Sequence, residues 1–519
     1  MTTEESQRRG RSRRRRESSA GGGEGAPNQP PWKQPIRRFR PVELVDEEQI
    51  ETIHQTSLQI LSEIGMDFLN EEARHMLKEA GADVDPNSAR VRFDPAFIEE
   101  TIETAPSEFT LHARNPERSL HMGGDSVAFT AVSSPPNVSD EAGGRRVGNR
   151  KDFQNLLRLG HTINMLHMWG GFPVEPVDLH PSTRHLDALY DMLTLSDRVI
   201  HAYSLGKQRN HDALEMIKIA RQIDDATLEQ EPSLISVVNA SSPLRYDTPM
   251  LQGIIEFSSR NQVIVCTPFT LAGAMAPVTV AGALAQHNAE ALAGIAFTQV
   301  VRPGAPVIYG GFTSNVDMQS GAPAFGTPEF MQTAMITGQL TRRYGIPYRS
   351  SGVNAANALD AQAAYESVFS LWGAVMGGAH MILHAVGWME GGLRASFEKM
   401  ILDADLCAMV TRFMDPIDFT EGGLALDAVR DVGPGGHYFG TPHTLERYRD
   451  AFYAPLLSDW RNYEAWDEAG RPEAKEKMVE LVDRFMATYE QPPMDDEVRE
   501  QLAEFVERRK AEGGVETDY

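Results

Sequence analysis

Only two cysteines occur in the 519 residues, Cys266 and Cys407, which argues against a disulfide framework and against a cysteine-built zinc site. Cys266 stands in an apolar run, where a small buried hydrophobe is its expected role. Long apolar stretches are missing as well. No window approaches the ~18 uninterrupted apolar residues of a membrane helix, and the amino terminus lacks the apolar block of a signal peptide. A cytoplasmic protein with no membrane attachment is therefore expected. Positive charge is scarce beyond the first residues: the net charge is −24, residues 1–41 hold 11 Lys and Arg against 4 Asp and Glu, and the remainder stands at −31. So acidic a body favours solubility and disfavours nucleic acid as a partner of the folded part. Three catalytic signatures are also missing. There is no His-x-His pair for an early-strand metal site, so no metal is assigned, and no Gly-x-Ser-x-Gly elbow. "SSPPNVSD" stands where a dinucleotide fold would carry its glycines after the first strand.

What is present divides the chain into four parts. Residues 1–41, with "RRGRSRRRRESSAGGGEGAPNQPPWKQP", are rich in Arg, Gly, Ser and Pro and are expected to be a disordered basic tail. A transit peptide is disfavoured by Glu4 and Glu5, and an RNA-touching arm is the alternative for this segment alone. Residues 42–125 read as a helical cap: "EEQIETIHQTSLQILSEIGMDF" has helical periodicity, and "NEEARHMLKEAGADVDPNSARVRFDPAFIEETIETAP" follows as helix, turn and helix. Residues 126–413 change character. Short apolar runs recur as "SVAFTAV", "MLHMWGGF", "RVIHAYSL", "SLISVVNA", "QVIVCTPF", "PVIYGGF", "IPYRSSG" and "HMILHAVG". Most open into Ser, Thr, Asn, Gly or Pro and lead to a helical segment such as "PEFMQTAMITGQLTRRY". Continuous apolar strands alternating with helices indicate a covered parallel sheet. Eight such units predict an α/β fold, a (β/α)8 TIM-type barrel with an N-terminal helical cap and a C-terminal helical extension, since the barrel typically takes about 250 residues. An open doubly wound sheet is the alternative. Residues 414–519 are irregular, then helical, and are expected to wrap the barrel. "GPGGHYFG" within them matches no phosphate-loop spacing and reads as a turn.

Active sites of β/α barrels lie beyond the carboxyl ends of the strands. The residues there are Ser133, Trp169, Phe172, Tyr203, Ser204, Asn239, Thr267, Phe269, Tyr309, Phe312, Arg349, Ser350, His384 and Trp388. Aromatic side chains outnumber charged ones, a composition suited to a cationic ligand, because ring faces attract ammonium groups by ~0.5–2 kcal/mol each. Trp169, Tyr203, Phe269, Tyr309, Phe312 and Trp388 are the candidate rings. Arg349 is a candidate anion holder. His384 lies within a strand near its end and is a candidate acid or base, with a structural imidazole as the alternative. In "NAANALDAQAAYESV", Asn357 and Asp360 suit the capping of a helix. Gln362 and Glu366, four residues apart, share a face that points either inward, with Glu366 near a cationic substrate, or to solvent.

Several passages in order resemble the trimethylamine methyltransferase family from about Val42 onward: "YGGFTSNVDMQSGAPAFGTPEF", "YGIPYRSSG", "LDAQAAYES" and "DVGPGGHYFGTPHTLERYR". The resemblance implies a β/α barrel that moves a methyl group from a methylated amine to the Co(I) of a corrinoid carried by a separate, cognate protein. This chain would itself hold no cofactor tightly, and it lacks the Asp-x-His-x-x-Gly corrinoid loop. A homo-oligomer is expected. Founding members carry pyrrolysine in the barrel, whereas this chain has ordinary residues throughout, including "YRSSGVN" at Tyr348–Asn354. That departure favours a quaternary amine such as glycine betaine, whose nitrogen is permanently charged, over trimethylamine. Glu366 and His384 are the catalytic candidates and Gln362 joins the substrate contacts, the resemblance supporting Gln362 and Glu366. A non-catalytic amine-binding barrel and a barrel hydrolase or lyase are the readings from other classes.

Overall fold

The computed structural model describes residues 26–516. At its centre lies a parallel sheet of Ala128–Ala131 (β1), Ile200–His201 (β2), Leu234–Val238 (β3), Val263–Cys266 (β4), Val307–Gly310 (β5), Tyr348–Ser351 (β6) and Met381–Val386 (β7). The seven strands run β1-β7-β6-β5-β4-β3-β2, so the first strand pairs with the last. The expected second strand, "MLHMWGGF", does not form. Met168 alone makes parallel bridges, to Thr130 beyond one sheet edge and to Val199 beyond the other. The His167 N–H donates to the Phe129 carbonyl (2.9 Å) and the Trp169 N–H to the Val199 carbonyl (3.0 Å). Gly170 and Gly171 then let the chain turn away.

Alternate strand residues face two different cores, which is why the runs are apolar without interruption. Ile235, Val263, Val265, Ile308, Met381 and Leu383 point to the inner side together with Met168. Ile264, Tyr309, Tyr348 and Ile382 point outward to the helices. A hairpin, Phe109–Leu111 with Leu120–Met122, inserts Leu111, Leu120 and Met122 into the inner cluster. Its neighbour His112 donates its N–H to the carbonyl of Pro232, just before β3 (2.8 Å). The amino-terminal end of the sheet is thereby plugged.

The covering helices include Glu47–Gln59 (α1), Val280–Val301 (α2), Pro328–Tyr344 (α3), Ala361–Gly377 (α4) and Phe397–Met414 (α5). The Asp46 side chain caps α1 in a reciprocal pair with Gln49, satisfying two donors that a helix start leaves free. From Ala283 to Gln299 every residue of α2 is buried. Residues 71–79 and 95–102 are helical, as the periodicity predicts, with a small sheet between them. Further on, Ala474–Ala487 and Asp496–Ala511 pack outside the sheet, where Arg509 pairs with Asp212 (2.7 Å) and Lys510 with Asp187 (2.8 Å).

The expected disordered tail needs correction for residues 26–41, while residues 1–25 lie outside the described residues. The 26–41 stretch is an extended strap. Ile36 bridges Ser126, Gln29 donates to the Thr162 carbonyl (2.7 Å), and Trp32 lies 5.8 Å from the His167 ring. Arg37 is buried against Asp125 at 3.3 Å. Aromatic and paired polar groups within a Pro-rich segment thus find partners that composition does not reveal. Among the described residues, no helix is long and apolar enough to cross a membrane.

Candidate functional site

A cavity of about 470 Å³ opens at the carboxyl ends of the strands. Its wall brings together Tyr203, Phe269, Phe312, Arg349, His384 and Trp388 with four more of the expected strand-end residues, Ser133, Ser204, Asn239 and Thr267, and with Ser134, His201, Leu383 and others. Phe269 and Phe312 lie 5.0 Å apart, and Phe312 stacks in parallel on Phe325 (5.7 Å), which meets Trp388 edge-on. The Trp388 ring is held by its Nε1–H, which donates to the Asn354 carbonyl at 2.9 Å, while Asn354 donates back to the Trp388 carbonyl at 2.6 Å.

Arg349 is buried and sits with its guanidinium 5.0 Å from the Phe312 ring centre. Its one bond is a long one, from Nη1 to the Gly311 carbonyl (3.5 Å), and its buried Nε has no partner. No carboxylate in the described residues pairs with it. Burial pulls its pKa down from 12.5 to about 9, so it remains charged at neutral pH. An unopposed buried cation is expensive, and a ligand anion is what would offset it.

Two histidines complete the polar lining. His201 was missed in the sequence, although it stands two residues before Tyr203 and so shares its strand face. Its Nε2 accepts the Val237 N–H at 3.0 Å. The remaining proton is thereby assigned to Nδ1, which is buried without a partner. Burial lowers its pKa from 6.5 to about 3, so it stays neutral. His384 has φ +61°, where β7 and β1 lose register between Ile382 and Val386. This bulge turns both Leu383 and His384 into the cavity. The His384 ring lies 4.2 Å from Trp388, its Nδ1 is unpartnered, and burial, with Arg349 and His201 nearby, keeps it neutral well below its usual pKa. Thr267 Oγ1 is also buried and free. By contrast the Tyr203 hydroxyl is engaged by the Phe172 N–H (2.8 Å) and Ser134, and burial with Glu175 nearby raises its pKa.

Four expected site residues lie elsewhere. Trp169 points away from the cavity and donates to Ser196 Oγ (2.9 Å), packed so closely on Gly160 that a Cβ there would collide with the ring. Tyr309 follows Ile308 on β5 and so has the opposite parity; its hydroxyl donates to Asn288 of α2 (2.9 Å). Glu366 is buried on α4, where Oε2 accepts the Ala355 and Ala356 N–H groups (2.8 and 3.1 Å) and Oε1 accepts from Gln362 (2.8 Å). Gln362 is exposed. This pair braces the loop after β6, which carries Asn354 and so positions Trp388. The cap of α4 is Asp360, which accepts the Gln362 N–H at 2.9 Å, rather than Asn357.

A covered parallel sheet whose strand ends enclose an aromatic cavity with one unopposed arginine has the architecture of a protein that takes up a small charged molecule. The family follows from comparison: the trimethylamine methyltransferase (MTTB) model matches residues 7–514, and the chain belongs to this family. It is 35% identical to the glycine betaine methyltransferase of Desulfitobacterium hafniense, over 91% of this chain and 98% of that one. A proline betaine:corrinoid methyltransferase of Eubacterium limosum is 27% identical (86% and 93%), and the trimethylamine methyltransferase of Methanosarcina barkeri 24% identical (89% and 94%). Among solved structures, the monomethylamine methyltransferase of Methanosarcina barkeri shares the fold with a TM-score of 0.52 at 13% identity, covering 89% of this chain and 88% of that one.

Proposed function

We propose that the protein demethylates a quaternary amine bearing a carboxylate, glycine betaine being the representative, and delivers the methyl group to the Co(I) of a corrinoid on a cognate carrier protein. The observation that carries this reading is the pairing of aromatic faces with a buried guanidinium in one cavity whose lining has no acidic side chain. Tyr203, Phe269, Phe312 and Trp388 offer ring surface to the ammonium. Arg349, through its free Nε–H, and His201, through Nδ1–H, offer donors to the carboxylate. Trimethylamine has no acid group and would leave Arg349 unanswered. The likeness to two betaine methyltransferases supports the same choice.

A reduced corrinoid on the carrier would supply the nucleophile; in the substrate the methyl carbon–nitrogen bond breaks, its electron pair stays on nitrogen, and a neutral tertiary amine leaves. The chain's own part is positioning and exclusion of water. His201 and His384, held neutral by burial, add no positive charge beside the ammonium.

In this reading the Met168 bridges stand for an eighth strand that closes the sheet into a barrel. Residues 42–125 and 414–519 are appendages of it, and the chain works in the cytoplasm as a homo-oligomer. The test mixes purified protein, reduced carrier and a panel of glycine betaine, proline betaine, choline and trimethylamine, and follows methyl-Co(III) absorbance. Turnover is expected for the two betaines. Silence across the panel with a competent carrier would sink the methyltransferase reading, and calorimetric betaine binding without turnover would support a binding protein instead. Equal turnover of choline and betaine would remove Arg349 from the proposed role.

A further inference from the structure

One region of the sequence is absorbed by neither the sheet nor the cavity. The chain leaves α5 at Met414 and comes back at Tyr453 and Leu457, where the buried Asp405 receives the Tyr453 hydroxyl and the N–H groups of Leu456 and Leu457 (3.0 and 3.1 Å). Between those anchors, none of residues 415–456 is buried. The segment is nevertheless built: Thr420 caps one short helix and Thr441 another, and His443 Nε2 lies 3.2 Å from the Gly422 carbonyl. It carries "DVGPGGHYFGTPHTLERYR", and its exposed side chains include Ile417, Phe419, Leu424, Phe439 (84%) and Phe452 (85%).

Aromatic side chains present roughly 150–250 Å² each, so this arm exposes apolar surface on the order of 1,000 Å². The largest apolar patch of an ordinary monomer is about 300–600 Å², and a stable interface takes about 800 Å² from each partner. The helices at the base of the arm add exposed apolar side chains. Tyr365 and Phe369, four apart on α4, and Met409 and Phe413, four apart on α5, are exposed, and the two helices are joined by Trp372 against Phe413, edge-on at 4.9 Å.

We propose that residues 415–456 are an assembly arm that packs against a second copy of this chain, with the outer faces of α4 and α5 forming part of the same contact. The choice between partners follows from the arm's lack of any interior. A segment with no buried residue of its own needs a cover at all times, and a large, apolar, permanent contact is the signature of an obligate homo-oligomer. A carrier protein has to arrive and leave with each methyl group, which calls for a smaller and more polar contact. The arm also carries charges of both signs, with Arg430 paired to Asp427 (2.7 Å) and Arg447 to Glu446 (3.1 Å), so it presents no single-sign field that would repel its own copy. The inference rests on the proposed function only for its contrast with a carrier, and its test needs neither carrier nor substrate.

Sedimentation of the full-length chain without any carrier protein tests it. The expected mass is that of a dimer or a multiple of one, and Phe439→Glu with Phe452→Glu should lower it at least twofold. Both rings are exposed in the single chain, so the substitutions unpack nothing inside it, and circular dichroism should keep its helical signal. Hydrogen exchange gives a second readout on the unaltered protein: amides of 415–456 should be protected in the absence of carrier. A wild-type monomer would overturn the proposal. So would an unchanged mass in the double variant, or arm amides that become protected only when the carrier is added.

Discussion

Arg349 and Glu366 are both buried charges on the carboxyl-terminal side of the sheet, and their surroundings differ in kind. Glu366 accepts three hydrogen bonds from its own loop and helix. Arg349 has one long bond and an unpartnered Nε. A satisfied buried charge holds structure together, whereas an unsatisfied one waits for something that the chain does not supply. The free Nδ1 atoms of His201 and His384 and the free Thr267 hydroxyl line the same cavity as Arg349, and each of these atoms is buried. The difference divides the polar residues of this region into those that brace and those that bind.

Substitutions can break that division. The largest effect is expected from Arg349→Met, which should lower betaine kcat/KM at least ~30-fold, since a buried charge-assisted contact is worth about 2–5 kcal/mol. Its melting temperature should stay level or rise, because a lone buried cation is removed; a marked fall would mean that Arg349 is structural after all. Glu366→Ala should show the inverse pattern. One buried and one part-buried backbone N–H group lose their acceptor, so chemical denaturation should report a loss of about 3 kcal/mol, larger than the change in betaine affinity. Next come the rings. Phe269→Ala and Phe312→Ala should each weaken betaine binding in calorimetry by about 1–2 kcal/mol, while Tyr309→Phe should leave it unchanged and cost only stability, about 1 kcal/mol for the lost bond to Asn288.

The smallest effect is a flat one. His201 is pushed by burial to about 3 and His384 well below its usual value, so betaine binding should show no histidine step between pH 6 and 8 (by the ordinary imidazole value, about 6.5). Stability behaves differently. The unfolded chain takes up protons on these imidazoles below about pH 6.5, and the folded chain does not until far lower. Each therefore removes up to ~1.4 kcal/mol per pH unit as acid is added. His287, lowered to about 3, and His167, lowered to about 4, act in the same direction. A binding curve with a step near pH 6.5 would show that one of the cavity imidazoles becomes charged.

Much of this was legible in the sequence, and the exceptions have physical reasons. Seven of the eight apolar runs are strands, because continuous Val and Ile between helices has few other uses in a covered sheet. The second run has the same composition but ends in two glycines, and its tryptophan is drawn outward to Ser196, which leaves only Met168 in bridging position. Parity was the main loss at the site. When both faces of a strand are apolar, the run itself does not say which residues look inward: Tyr309 stands near the end of the strand in "PVIYGGF" as a site residue would, although Ile308, Gly310 and Phe312 share the inner parity. The same parity, applied to Tyr203, would have found His201. His384 defeats the rule altogether. Counting from Met381 and Leu383 sends it outward, and only a left-handed residue within the strand, for which a histidine gives no warning, turns it in. The loop brace was hidden for another reason: Glu366 lies 10 and 11 residues from the amides it receives, beyond the reach of helical spacing arguments.

The hairpin that inserts Leu111, Leu120 and Met122 fills the amino-terminal side of the sheet, and the chamber opens on the carboxyl-terminal side. Under the proposed reaction that opening has to admit a small amine and then be covered by a carrier protein bearing a far larger nucleophile. If the reading proposed above holds, the order of arrival would be set by size, the amine first and the carrier second. Excess carrier, docked on an empty chamber, would then compete with substrate entry and slow turnover.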